Sequence, residues 1–133
     1  MITQKQIHDL AVKKGWWESW GNPLDRLPTT LMLMVSELAE CLEEYRNGRG
    51  ATEIYYEYKT EPHISIEPSR PLPANYKATI EFGKPCGIPI ELADCAIRIK
   101  DTCEALDIDL EKMIELKYEF NKTRPYQHGN KRA

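Results

Sequence analysis

Ile7, Leu10 and Ala11 recur at steps of three and four behind Thr3, a spacing that predicts a short amphipathic helix over residues 3–14. Thr3 with Gln6 has the form of a capping box, and Gly15 is placed to end the helix. The stretch from Gly15 to Pro23 has no clear period, carries turn residues at its end and holds all three tryptophans, Trp16, Trp17 and Trp20. The strongest pattern follows. Leu31, Met34, Val35, Leu38 and Leu42 form an apolar stripe that predicts a helix from Thr29 to Asn47, opening just after Pro28. Glu37, Glu40, Glu43 and Glu44 occupy other faces, and Asn47-Gly48 supplies a stop.

From Arg49 to Ile88 the character changes. Five of the nine prolines lie here, and Pro62, Pro68, Pro71 and Pro73 prevent a helix between them. The runs Glu53 to Tyr58 and Tyr76 to Phe82 are β-prone, so residues 49–88 read as an insertion carrying a small hairpin. Pro89 suits the first turn of a third helix reaching about Leu106, with Leu92, Ala96, Ile99, Cys103 and Leu106 as its buried stripe. Asp109 is a cap for a fourth helix, with Leu110, Met113, Ile114, Lys117 and Phe120 inward or flanking and an end near Asn121–Lys122. The order is α, α, β insertion, α, α: a mainly α chain with a small β-hairpin between the second and third helices.

Composition narrows the class. A chain of 133 residues, 41% hydrophobic and 29% charged, fits one domain spanning residues 1–133 and is too apolar for a disordered segment. The formal charge of −3 announces no field for a nucleic acid polymer or an anionic membrane. No apolar run spans a bilayer, and the polar start from Met1 to Gln6 lacks a signal-type apolar region, so a cytoplasmic protein is expected. Cys41, Cys86, Cys95 and Cys103 include no Cys-x-x-Cys pair and no closely spaced His partners. Reduced, mostly buried thiols are expected in place of a zinc site.

Candidate chemistry lies in two short acidic patterns, Glu37-x-x-Glu40 and Glu91-x-x-Asp94. Residues three apart on a helix are separated by about 60° of rotation, so each pair points one way. Two such pairs on neighbouring antiparallel helices would place four carboxylates around one cavity, an arrangement that calls for a cation or raised pKa values. Oxygen-only ligands suit Mg²⁺ or Mn²⁺. Glu44 projects close to the azimuth of Glu37 as an outer acid, while Arg98 and Asp101 continue the face of Glu91 and Asp94. Glutamates at this spacing are also common on solvated helix faces, but here Glu37-Leu38-Ala39-Glu40 and Glu91-Leu92-Ala93-Asp94 look alike and lie on consecutive long helices.

Together with the basic end Glu119 to Gly129, these motifs resemble the MazG-like all-α nucleoside triphosphate pyrophosphohydrolases. The resemblance implies a four-helix bundle, completed by helices of a second chain in a homodimer or homotetramer. It implies Mg²⁺ held by Glu37, Glu40, Glu91 and Asp94, and cleavage of a (d)NTP to the monophosphate and pyrophosphate. Some members carry a further Glu directly before the first acid; here that position is Ser36.

Such chemistry needs a carboxylate to take the proton of the attacking water, with Glu40 and Glu44 as candidates. It also needs cations for the phosphates: Lys122 and Arg124, with Asn121 as a neutral donor and Arg98 or Lys100 in reserve. A solvated basic tail at a helix C-terminus accounts for Lys122 equally well. Trp16, Trp17 and Trp20 suit either stacking on a base or anchoring the loop. Tyr126 and His128 are further lining candidates, and His8 is expected to be an exposed helical residue. Ferritin-like di-iron sites use Glu-x-x-His pairs, which this chain lacks. The competing classes are a non-catalytic nucleotide-binding protein and a helical interaction module.

Overall fold

The computed structural model describes residues 1–19, 21–59, 65–66 and 83–126. Those residues form a mainly helical protein: α1 (Gln4–Lys13), α2 (Pro23–Arg46), β1 (Tyr55–Lys59), β2 (Ser65–Ile66), β3 (Lys84–Cys86), α3 (Ile88–Ala105) and α4 (Leu110–Lys122). None of these helices is long and apolar enough to cross a membrane. The chain divides into two compact units, one of Met1–Arg26 with Lys100–Ala133, the other of Leu27–Ile99.

Local chemistry explains the helix ends. At α1 the Thr3 side chain accepts the Gln6 amide at 3.1 Å while the Gln6 side chain accepts the Thr3 amide at 2.8 Å. This closes the capping box. Thr3→Ala should cost about 1 kcal/mol and lower the melting temperature by roughly 4 °C, measurable by circular dichroism. Three helices end alike, with a left-handed residue followed by an amide reaching five positions back: Trp16 to Ala11, Arg49 to Glu44 and Ile108 to Cys103. The left-handed residues are Gly15, Gly48 and, without a glycine's freedom, Asp107 at φ 57°.

The second helix begins earlier than its periodicity predicts. The Asn22 side chain accepts the Leu24 amide at 3.0 Å, and Pro23 fills the first helical position, where a missing N–H costs nothing. Pro28 is therefore inside α2, not ahead of it.

In the Leu27–Ile99 unit β1 is the central strand of a sheet ordered β2-β1-β3, antiparallel to both neighbours. Its register sets Tyr55 opposite Cys86 and Tyr56 opposite Pro85, a proline that an edge strand tolerates. The expected first β-run is β1; the second, residues 76–82, lies outside the described residues. Gly87 joins β3 to α3 at φ 122°, and a Cβ there would meet the Glu53 carbonyl oxygen at 2.4 Å.

The predicted stripes are less covered than expected. Leu31, Val35, Leu38 and Leu42 on α2 are exposed, as are Leu92 and Ala96 of the expected buried stripe on α3. Cys103 of that stripe is buried as expected, and the other buried α3 positions are Glu91, Cys95 and Thr102. On α4, Met113, Ile114, Lys117 and Phe120 are exposed too, not inward. Periodicity identifies the apolar face of a helix but not what covers it. All four cysteines are free; Cys86, Cys95 and Cys103 are buried and Cys41 is half-buried. Burial pushes the Cys86 and Cys103 thiols up, away from the reactive thiolate.

Candidate metal centre

Within the Leu27–Ile99 unit, α2 contributes Glu37 and Glu40 from adjacent turns, and the first turn of α3 contributes Glu91. One carboxylate oxygen from each lies within 4.8 Å of the other two. Glu37 and Glu91 are buried, whereas Glu40 is exposed. One-sided access of this kind suits a site that admits a ligand from solvent.

The electrostatics are those of acids brought together against their charge. Burial pushes the Glu91 carboxyl up to about 7, with further upward pressure from hydrogen bonding to Glu40 and from the charges of Glu40, Asp94 and Glu37. Asp94 is also raised, first by burial and then by Glu37 and Glu40, with Arg98 pulling the other way. The Oε2 atom of Glu91 is buried without a hydrogen-bond partner. A buried carboxylate oxygen left unmatched costs desolvation energy, and a cation or a proton relieves it. This donor set fits a hard, oxygen-preferring divalent ion.

Asp94 is half-buried on the same helix as Glu91 but is not one of the three acids that converge. Glu44 is turned to another partner. Its Oε1 accepts the Tyr55 hydroxyl at 2.6 Å, its Oε2 is buried, and Arg49 stands 3.9 Å away. Burial and this bond to Glu44 hold the Tyr55 hydroxyl well above its ordinary pKa. Arg98 donates from Nε to Glu37 Oε1 at 2.6 Å. Sequence reasoning reached the acidic faces but missed the Arg98–Glu37 and Tyr55–Glu44 pairs. Their only signal was the shared azimuth of Arg98 with Glu91 and Asp94.

The other candidates belong to the Met1–Arg26 and Lys100–Ala133 unit. Trp17 donates its indole N–H to Asp101 at 3.0 Å, sits edge-on to His8, and lies under the Arg26 guanidinium at 4.4 Å. His8 is half-buried and bonded to Asp101 at 2.7 Å, which corrects the expectation of an exposed helical residue. Asp101 faces these two donors, so Trp17 anchors its loop. Trp16 is exposed, with its carbonyl accepting the Arg26 guanidinium. Asn121, Lys122 and Arg124 are exposed; Lys122 pairs with Glu119 at 3.0 Å, and Arg124 lies over the Phe120 ring at 5.7 Å. Lys100 is half-buried and Tyr126 exposed, while Trp20 and His128 fall outside the described residues.

No protein-family model matches this chain, and no curated protein or solved structure is significantly similar to it.

Proposed function

We propose that this chain is a Mg²⁺-dependent nucleoside triphosphate pyrophosphohydrolase that cleaves a (d)NTP between its α and β phosphates. The observation that carries the reading is the convergence of Glu37, Glu40 and Glu91, with a buried, unpartnered oxygen on Glu91. The resemblance of the two acidic motifs and the basic end to the MazG-like family supplies the substrate class. Glu37, Glu40 and Glu91 would hold Mg²⁺ or Mn²⁺, with Asp94 alongside. The bound ion supplies Lewis acidity at the phosphoryl oxygens. Glu40, the exposed acid of the three, would take the proton of the attacking water on a carboxylate oxygen that the ion leaves free. Glu44 is the poorer base, because it already accepts the Tyr55 hydroxyl and its other oxygen is buried. Asn121, Lys122 and Arg124 remain the candidates for phosphate, and Trp16 the candidate for a base.

The reading includes a homodimer or homotetramer in the cytoplasm, with the four helices forming a bundle completed by a second copy. The exposed Leu31, Val35, Leu38 and Leu42 support it, since a continuous apolar helix face in water favours association.

Product analysis tests the activity. A panel of NTPs and dNTPs with Mg²⁺ should give monophosphate and pyrophosphate, and chelator or Glu37→Gln should abolish both. Orthophosphate with diphosphate would place the cleavage at another bond. No turnover of any nucleotide would favour a non-catalytic nucleotide-binding protein or a helical interaction module.

A further inference from the structure

We propose that Arg98 is a built-in counter-ion of the acid group, holding Glu37 in the ion-free protein, leaving it when a divalent cation binds, and then meeting an anionic oxygen of a phosphate ligand. The inference rests on the divalent-ion reading of the site and names the residue that couples the ion to the anion.

Arg98 lies one helical turn beyond Asp94 and two turns beyond Glu91, on the same face of α3. Its Nε donates to Glu37 Oε1 at 2.6 Å, one of the three carboxylates that converge. The arrangement is asymmetric: the Glu37 side chain is 9% exposed, whereas that of Arg98 is 29% exposed. The acid is fixed inside, while the guanidinium reaches towards solvent. Arg98 is held through Nε, and its terminal amino groups make no hydrogen bond among the described residues. A side-on attachment of that kind leaves open the bidentate edge that guanidinium uses for phosphate and carboxylate.

A divalent ion bound by Glu37, Glu40 and Glu91 competes with Arg98 for the same Glu37 carboxylate, and like charges side by side repel. The long side chain lets the guanidinium leave Glu37 without any movement of α3. Bound cation and released guanidinium would then lie side by side, a pairing suited to an oxyanion that bridges both. In the ion-free state Glu37 balances the guanidinium's charge and the neighbouring carboxylates repel an anion from its open edge, so an anion is held there only after the cation has bound.

Mn²⁺ affinity in solution, followed by the loss of its free-ion magnetic resonance signal, distinguishes a displaceable counter-ion from a permanent brace. Arg98→Gln should bind Mn²⁺ about 5- to 10-fold more tightly than wild type, because the competing cation is gone. In saturating Mn²⁺ the same variant should bind inorganic pyrophosphate at least tenfold more weakly; without the ion, neither protein should bind it. Arg98→Lys retains the charge and guards against misfolding as an explanation: its Mn²⁺ affinity should lie between the other two. Unchanged or weaker Mn²⁺ binding by both variants, with wild type still binding, would make Arg98 a fixed brace and overturn the inference alone. Unchanged pyrophosphate binding by Arg98→Gln would overturn the phosphate contact. A wild type that binds no Mn²⁺ would instead remove the divalent-ion reading beneath it.

Discussion

In chelator, the wild-type protein should lose stability as the pH rises from about 5 to about 8, and Glu91→Gln should remove most of that loss. The Glu91 carboxyl is raised from its ordinary 4.5 to about 7 by burial, by its bond to Glu40 and by the charges of Glu40, Asp94 and Glu37. Between those values the folded protein still holds a proton that the unfolded chain has released. The folded state therefore binds more protons there, and stability falls as pH rises through that window. Stabilisation by the protonated group is complete below about 4.5 and gone above about 7. Asp94, raised by the same neighbours, adds in the same direction. Glutamine is neutral, nearly isosteric and able to donate to Glu40. At pH 8 the variant should be more stable than wild type by on the order of 2 kcal/mol, or about 5–8 °C in melting temperature. Saturating Mg²⁺ or Mn²⁺ should reverse the order, stabilising wild type by mass action and leaving the variant nearly unmoved. Thermal melts across pH, with and without ion, read both effects. A variant less stable than wild type at pH 8 in chelator would mean that Glu91 is held there by attraction and not against repulsion.

Gly87→Ala should be more damaging than a methyl added at Gly15, Gly21, Gly48 or Gly50. Two independent penalties meet at that position. The backbone sits at φ 122°, where an L side chain is strained, and the added Cβ would lie 2.4 Å from the carbonyl oxygen of Glu53. The obstructing atom is backbone, so no rotamer change relieves it. The expected cost is about 3 kcal/mol or more, enough to bring a marginal domain close to unfolding at physiological temperature. The damage should also reach the candidate site. Gly87 offers its carbonyl to the amides of Ile90 and Glu91, each at 3.0 Å, and so sets the first turn that carries Glu91. Denaturant melts and Mn²⁺ titration of the same sample should both shift. A stable variant with unchanged Mn²⁺ affinity would mean that the strand-to-helix joint can move aside freely.

Much of this architecture is local and was legible in the residues. The capping box at Thr3, the stop at Asn47-Gly48 and the cap at Asp109 are interactions within five positions of one another, so composition at fixed offsets reveals them. Pro28 misled for the same reason: proline reads as a boundary unless a better start, here Asn22-Pro23, lies one turn earlier. The acidic faces were legible because helical geometry fixes azimuth, and Glu37, Glu40 and Glu91 do converge. Azimuth does not fix reach, however, and Asp94 on the same face is not among the three. Arg98 with Glu37 is separated by 61 positions, and no rule of spacing pairs them. His8 and Trp17 share Asp101 across more than eighty positions, which is why a histidine expected in solvent is half-buried.

The closure of α2 also bears on how the protein ages. Asn47-Gly48 is the sequence in which an asparagine amide is lost most readily, because the following backbone nitrogen can attack the side-chain carbonyl and close a five-membered imide. Here that nitrogen is occupied: the Gly48 amide donates to the Tyr45 carbonyl at 3.0 Å, and the Asn47 amide donates to Glu43 at 2.9 Å. Ring closure must first break the cap. The bonds that stop the helix thus also set a chemical clock, slow while α2 stays closed and fast once its last turn frays.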